Sequence, residues 1–495
     1  MVALVATAAA TRWPDLADHF WIDEGISVGI ASHGWTRIPA MLRLDGSPPF
    51  YYLILHFWVK LFGSSEAATH LLSLGFALAC IPAAYLGVRR RFGRRAGVIA
   101  AVLFAANPYL VTYSTETRMY TLLVLLALGT TLAFLEVFAF GNRRGLAPFV
   151  LGTDLMLYTH NWAVFFVAGL VAATVPCLVL AKDRRRLATD FLAGFGVAGL
   201  LWLPWVPTLL YQATHTAAPW SLTPSAGEIT GAIAAVLGDQ RSLVAVILGG
   251  GAGLVAMLRS RSGEAAAVAA AVVLPVVTVI GGWLASQVNP GWTYRYFGIF
   301  LAPLLIVAAA GLSREGGRGL VALGLVLFFW IQPLASALSS PNVNGANGKG
   351  DVQPLAEAVG PMLSRGDWVI AIQMEELPVL DYYLPGGLNF ANATGPQPRP
   401  EVVDWRDATA RMSEATPEVG LIPLLERAQV GTRFLLVCPR MVVNDDALLW
   451  FRLMEDRCEQ WREALELDPR LKRHYLSDVT TSLQTYLRLY SKEQA

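Results

Sequence analysis

Long apolar runs separated by short polar turns fill the first two-thirds of the chain. They cover Ala67–Val88, Ala96–Tyr113, Met119–Phe140, Leu146–Tyr158, Trp162–Leu180, Leu187–Leu210, Leu243–Leu258, Ala265–Leu284, Tyr296–Leu312 and Leu320–Leu338. A helix needs roughly 20 apolar residues to cross about 30 Å of hydrocarbon, and most of these runs approach that length. The N-terminal "MVALVATAAATRW" is apolar only to Thr11. It reads as a shortened first span rather than a signal peptide, since it has no basic leading segment and no clean cleavage pattern. After Ser339 the pattern changes. "SSPNVNGANGKGD" is a Gly/Asn/Pro linker. Beyond it "GDWVIAIQ" and "GTRFLLVCP" predict buried strands, and "DDALLWFRLMEDRCEQWREAL" predicts a helix. The expected organisation is a membrane domain over residues 1–339, a linker over 340–350 and a soluble α/β domain over 351–495.

Charge placement turns this pattern into a topology. "RRRFGRR" (Arg89 to Arg95), Arg143–Arg144, "KDRRR" (Lys182 to Arg186), Arg259 with Arg261, and Arg314 with Arg318 fall in every second loop. Basic loops favour the cytoplasmic side. "PPFYYLILHFWVKLFG" (Pro48 to Gly63) resembles a further span, but a crossing there would reverse every later loop. It is also short for a span, about 22 Å as a helix. It is therefore expected to lie in the interface, capped by Ser47 with Pro48 and Pro49 in its first turn. About eleven spans result, with the N-terminus inside and the soluble domain outside. The loops Trp13–Gly63, Tyr113–Tyr120, His160–Asn161, Tyr211–Arg241 and Asn289–Arg295 share the outer face.

Composition agrees with a membrane protein. Hydrophobic residues make up 55% of the chain and charged residues 15%, with a mean hydropathy of +0.47; soluble domains carry about 25% charge. The net charge of +1 gives no basis for a nucleic-acid partner. The four cysteines form no metal pattern. Cys80 and Cys177 fall in apolar runs, and Cys438 and Cys458 are expected as free thiols rather than as a disulfide.

The outer loops hold the unusual polar residues. Asp23 and Glu24 are adjacent in "HFWIDEGIS". Neighbours in sequence do not share a helix face, so the two acids should have different roles. Taken alone, such a pair reads as two solvated acids or as a helix N-terminal pair. Glu116 and Arg118 in "YSTETRMY" lie at membrane level, where ionisable groups are costly and are either functional or paired with each other. Arg295 in "NPGWTYRYFGIF" either snorkels or binds an anion. His160 and Asn161 occupy a short outer turn, and His56 lies on the interfacial helix, where packing is its simpler role. Carboxylates, arginines and aromatics at one membrane face suit a substrate with a lipid tail and an anionic head. A carboxylate can take a proton from a hydroxyl, Arg118 and Arg295 can hold a phosphate, and Trp21, Tyr51 and Tyr52 can flank a sugar. The absence of a Gly-rich nucleotide cradle disfavours ATP or a nucleotide sugar.

The acidic pair in the first outer loop, followed by "GSPPFYYLILHFWVKLFGSSE" and "YSTETRMYTL", resembles the C-type-fold membrane glycosyltransferases. The nearest branch is glycosyltransferase family 39, the protein O-mannosyltransferases and aminoarabinose transferases. The resemblance covers the first two-thirds of the chain. It implies an inverting transfer from a polyprenyl-phosphate-linked sugar, mannose being the expected one, to an acceptor hydroxyl on a glycan, lipid or protein at the outer face of the cytoplasmic membrane. By that resemblance Asp23 is the catalytic base and Glu24 its support. Arg118, Arg295, Tyr52, His56, Glu116 and Tyr120 are candidates for the donor and its phosphate. Trp21, Asp45, Tyr51, His160 and Asn161 are candidates for lining the sugar and acceptor. The sequence departs from the aminoarabinose transferases at Ser47, where those proteins carry a Lys-like residue before the paired prolines; the phosphate contact then shifts to Arg118, Arg295 or His56. No cofactor is required, although some relatives use a divalent metal such as Mg or Mn. Two alternatives stand beside this reading: a polyprenyl-phosphate-arabinose-dependent arabinosyltransferase of cell-wall glycan, and a non-catalytic transporter or flippase of lipid-linked substrates.

Overall fold

The computed structural model describes residues 1–260, 262–339, 352–440, 447–476 and 485–494, with 332–339 as backbone only. The expected linker at 340–350 lies outside these residues. The chain is a polytopic α-helical membrane protein with a C-terminal β-containing domain. Among the described residues, seven helices are long and apolar enough to cross a bilayer: Glu66–Ala106, Tyr120–Ala139, Ala163–Leu180, Arg184–His215, Gln240–Arg259, Gly263–Ser286 and Tyr294–Arg314. Seven differs from the expected eleven for local reasons. Two expected spans merge in Glu66–Ala106, which breaks at Gly93, where φ is 89°. Only glycine takes that conformation without strain. The helices Val2–Arg12 and Leu146–Leu157 are 11 and 12 residues long, too short to count as spans on their own, and the expected last span counts only over its fully described part, Gly316–Ile331.

The basic loops meet at one end of the helical bundle. Arg91 chelates Glu136, Arg143 pairs with Asp190 at 2.7 Å, and Arg314 pairs with Glu264 at 2.8 Å. Arg186 bonds the Gly141 carbonyl and Arg95 the Gly316 carbonyl. The apolar helix Phe50–Phe62 lies elsewhere and starts two residues later than expected, with Pro49 at its N-cap. Ser47 is not its cap: the first free N–H after the prolines, that of Phe50, donates to the Tyr158 carbonyl at 2.8 Å instead.

The C-terminal domain is built on a six-stranded mixed sheet. Its strands are β1 (Trp368–Ala371), β2 (Asn389–Asn392), β3 (Gly395–Pro396), β4 (Arg433–Pro439), β5 (Leu471–His474) and β6 (Thr485–Lys492), in the order β3-β2-β1-β4-β6-β5. β1 runs parallel to β2 and β4, with Val369 opposite Leu435, and the remaining pairs are antiparallel. The central strands are nearly continuous apolar runs because helices cover both faces. Helix Leu449–Leu467 packs on β4, which brings the Cα atoms of Cys458 and Cys438 to 5.8 Å. The two are joined in a disulfide, which corrects the expectation of free thiols: their separation of 20 residues closes only once the helix lies on the strand.

The acidic pair sits at the junction of the two halves. Helix Ile22–Ser32 is almost wholly buried between the membrane helices and the sheet domain. Phe20 and Val28 share a core with Val369, Val379 and Leu435. Tyr383 accepts from the Phe20 N–H at 2.8 Å and donates to Glu66 at 2.8 Å, and His33 meets Glu401 at 3.2 Å. Gly25 and Gly29, one helical turn apart, allow this approach. A Cβ on Gly25 would lie 2.7 Å from Val379 Cβ, and one on Gly29 would lie 2.2 Å from the Glu401 carbonyl oxygen. Backbone cannot yield as a side chain tip does, so Gly29→Ala should destabilise the protein by about 1–3 kcal/mol. Gly34→Ala, whose Cβ meets nothing within 4 Å, serves as the control. Thermal unfolding of the purified protein reads the difference, and equal midpoints for both variants would mean the contact is not tight.

Candidate active site

Asp23 and Glu24 occupy the first turn of helix Ile22–Ser32 and part company there. Glu24 is fully buried. Its Oε2 accepts from the Trp21 N–H at 3.2 Å, closing the helix N-terminus. Its Oε1 lies 2.7 Å from His70 Nε2 and accepts from the Thr117 N–H at 2.6 Å. His70 Nδ1 lies 2.9 Å from the Leu16 carbonyl oxygen. Both imidazole nitrogens thus face oxygen atoms, and the ring is held at both ends. Glu24 ties three segments together: the first loop, helix Glu66–Ala106 and the turn after Tyr113. It does not line the cavity described below, so its role is positioning rather than chemistry.

Asp23 faces that cavity. Its Oδ2 accepts from Arg295 Nη1 at 2.7 Å and lies 3.8 Å from Arg118 Nη2. Arg118 Nη1 also reaches the Asp23 carbonyl at 3.2 Å, Ser27 Oγ at 3.1 Å and Tyr52 OH at 3.5 Å. Arg295 stands 5.7 Å from the centre of the Trp21 ring, and Arg118 the same distance from the centre of the Tyr120 ring. Tyr109 OH donates to the Arg295 carbonyl and fixes the chain there. Two guanidiniums around one carboxylate leave an excess of one positive charge.

The cavity measures about 620 Å³. Of the candidate residues, Asp23, Asp45, Arg118, His160, Asn161 and Arg295 line it. Burial raises the Asp45 carboxyl above its usual range, against a hydrogen bond from Ser47 and the charge of Arg118. Burial and the two arginines push His160 down to about 3. His160 is therefore neutral, with Nδ1 accepting from the Trp162 N–H at 3.1 Å. Asn161 donates to the Gly46 carbonyl at 2.8 Å, joining the outer turn to the first loop. Val164, Phe165, Leu209 and Leu210 from the membrane helices, with Val288 from the turn after Gly263–Ser286, form an apolar wall.

The other candidates do not line the cavity. Tyr51 and Tyr52 are fully buried and packed edge to face. His56 is buried with Nδ1 on the Ala31 carbonyl at 2.8 Å, so it braces helix Ile22–Ser32 and is not part of the cavity. Glu116 is buried, and its carbonyl accepts from the Arg118 N–H at 2.7 Å. Tyr120 and Trp21 act as ring neighbours of the arginines. The carboxylate of Asp23 does not suit a divalent cation, because Arg295 occupies its Oδ2 and Arg118 stands close by. Among the described residues, no three His, Cys, Asp or Glu side chains group as metal ligands.

Several neighbours of the site were missed in the sequence. His70 looked like one polar residue inside an apolar run. Trp220, Gln212 and Trp405 line the cavity, and Trp405 belongs to the sheet domain. Glu375, also from that domain, lies in a turn against helix Ile22–Ser32; burial pushes it up to about 8, and the charges of Glu376 and Asp23 add to the effect. No local signal marks these residues, because the contacts form between distant segments.

Residues 46–211 match the family described as dolichyl-phosphate-mannose-protein mannosyltransferase. No curated protein matches the sequence. Among solved structures, ArnT from Cupriavidus metallidurans superposes in its apo state with a TM-score of 0.65 at 14% identity, covering 99% of this chain and 97% of that one. Its undecaprenyl phosphate complex superposes at 0.64 with the same identity and coverage. The arabinofuranosyltransferase AftD from Mycobacteria gives 0.54 at 15% identity, over 100% of this chain and 40% of that one. The oligosaccharyltransferase AglB from Archaeoglobus fulgidus gives 0.54 at 12% identity, over 88% and 69%.

Proposed function

We propose that this chain, which has the fold of the C-type membrane glycosyltransferases and is related to their ArnT and dolichyl-phosphate-mannose branch, transfers a sugar from a polyprenyl phosphate to an acceptor hydroxyl. The observation that carries the reading is Asp23 held between Arg118 and Arg295 in a cavity with an apolar wall. A polyprenyl-phosphate sugar is a phosphodiester of charge −1, which the excess positive charge of the site would neutralise. Asp23 takes the proton of the acceptor hydroxyl. The acceptor oxygen bonds to the anomeric carbon, the bond from that carbon to the phosphate oxygen breaks, and the configuration inverts. The phosphate gains charge as it leaves, and the two guanidiniums are placed to stabilise it. The apolar wall receives the prenyl chain.

An arabinose-type pentose is the better supported sugar. Support comes from the likeness to the arabinofuranosyltransferase AftD over the whole of this chain. The match to a mannosyltransferase family supports mannose as a second reading, and it covers residues 46–211 only. Decaprenyl-phosphate arabinose and decaprenyl-phosphate mannose, offered in separate assays, decide between them; faster turnover with mannose would reverse the order. Arg295→Ala should lower kcat/KM by roughly 10- to 100-fold, the worth of one charge-assisted hydrogen bond. Arg295→Lys should recover only part of it, since an ammonium lacks the planar fork. Wild-type kcat/KM in Arg295→Ala would remove the phosphate from this end of the site.

The finer topology belongs to the same proposal. About eleven passes, with the basic loops cytoplasmic and the site and residues 351–495 outside, fit the meeting of the basic loops at one end of the bundle. The Cys438–Cys458 disulfide supports an oxidising compartment for that domain.

A further inference from the structure

A second part of the cavity wall has a different chemistry from the pair of arginines. Residues of the sheet domain close it. The Trp405 N–H donates to the Leu44 carbonyl at 3.0 Å, the Asp407 N–H donates to the His215 carbonyl at 2.7 Å, and Arg406 bridges Thr216 through the backbone. Trp405 and Trp220 line the cavity side by side, their ring centres 4.6 Å apart and the planes 57° from each other. Trp450 braces Trp405 from behind at 5.7 Å. Gln212 also lines the cavity and is 1% exposed. Its amide N–H donates to the Leu42 carbonyl at 2.9 Å, while its side-chain oxygen has no hydrogen-bond partner. Asp45 also lines the cavity and feels the charge of Arg118. Arg406, beside Trp405, is held by both oxygens of Asp404 at 2.8 and 2.7 Å.

We propose that this seam is the acceptor subsite and that the acceptor is an uncharged sugar residue of a glycan. The inference rests on the glycosyltransferase reading and adds the acceptor class to it. An anionic head group needs donors and a surplus of positive charge, which the two guanidiniums supply beside Asp23. Indole faces flanked by the unfilled acceptor of Gln212 and by the Asp45 carboxyl suit a ring with apolar C–H faces and donating hydroxyls. A cavity of about 620 Å³ has room for a donor sugar and an acceptor sugar together. Asp45 lines the same cavity as Asp23 and is close enough to feel its charge, so a hydroxyl of the acceptor held there would be turned toward Asp23. The seam exists only when the sheet domain is docked, so that domain contributes to acceptor selection directly.

The test uses the full-length protein in detergent. Equilibrium binding is measured for linear arabinan and mannan oligosaccharides, for a Ser/Thr peptide and for undecaprenyl phosphate. The wild type should bind at least one oligosaccharide. Trp220→Ala, Trp405→Phe and Gln212→Leu should each weaken that binding by about threefold to tenfold, with undecaprenyl phosphate affinity within twofold of wild type. Trp220 is half-buried and Trp405→Phe keeps a ring, so these variants test binding without emptying the core. Four outcomes overturn the proposal: no oligosaccharide bound by the wild type, binding of the peptide in its place, no change in the variants, or a loss of undecaprenyl phosphate instead, which would make the indoles a prenyl site. Sugar transfer is followed in parallel. Oligosaccharide binding without any transfer would sink the enzymatic reading and leave the subsite standing; transfer that is insensitive to all three variants would do the reverse.

Discussion

Asp23→Asn is expected to lower kcat by roughly 10²- to 10⁴-fold, the range over which a positioned general base contributes, while binding of undecaprenyl phosphate stays equal or tightens. The sign of the second effect follows from charge. Asp23 shares its Oδ2 with Arg295 at 2.7 Å and stands 3.8 Å from Arg118, so it competes with a phosphate for the same guanidiniums. Asparagine is nearly the same size and keeps an acceptor toward Arg295, but it carries no charge and does not take a proton. A base and a phosphate ligand therefore separate in opposite directions: removing the base costs turnover, and removing an arginine costs donor affinity as well. The two measurements are single-turnover transfer with a labelled donor and equilibrium binding of the lipid phosphate. Near-wild-type turnover in Asp23→Asn would take this carboxylate out of the chemistry, whatever its place in the cavity.

Glu24→Ala should act through the fold instead. It would strand the Trp21 and Thr117 N–H groups and leave His70 beside the Leu16 carbonyl with no carboxylate. Breaking a buried ionic pair by removing one partner costs about 3–5 kcal/mol, and the loss falls on the segments that carry Asp23 and Arg118. Glu24→Gln keeps the shape and one acceptor, so it should lose less. Thermal unfolding of the two variants, set beside the nitrogen chemical shifts of His70, separates the possibilities. A stable Glu24→Ala protein without activity would assign Glu24 to the reaction after all, whereas parallel losses of stability and activity fit a positioning role.

Adjacent carboxylates point to different faces of a helix, so a division of labour between Asp23 and Glu24 follows from position alone. Which acid faces the cavity does not. That depends on how Ile22–Ser32 lies between the bundle and the sheet, and Gly25 and Gly29 set the depth of the contact with Val379 and Glu401. The same limit applies to helix Phe50–Phe62. Its apolar, aromatic character was legible, but Tyr51, Tyr52 and His56 turn inward and brace the site from behind. Arg118 and Arg295 stood out as isolated cations at one membrane face. Their meeting on one carboxylate is a long-range event: Arg295 and Asp23 are 272 positions apart.

Hydropathy and charge, which act locally and repeat along the chain, determined that this protein is a helical membrane protein with a separate β-containing domain. They also confined its unusual polar groups to a few loops. Tertiary structure alone decided the rest. Packing of Ile22–Ser32 on Glu66–Ala106 set Glu24 against His70, packing of helix on strand within the sheet domain joined Cys438 to Cys458, and docking of that domain brought Trp405 to the cavity beside Trp220. Each of these needs two segments far apart in sequence to come within bonding distance, and short-range patterning carries no record of such distances.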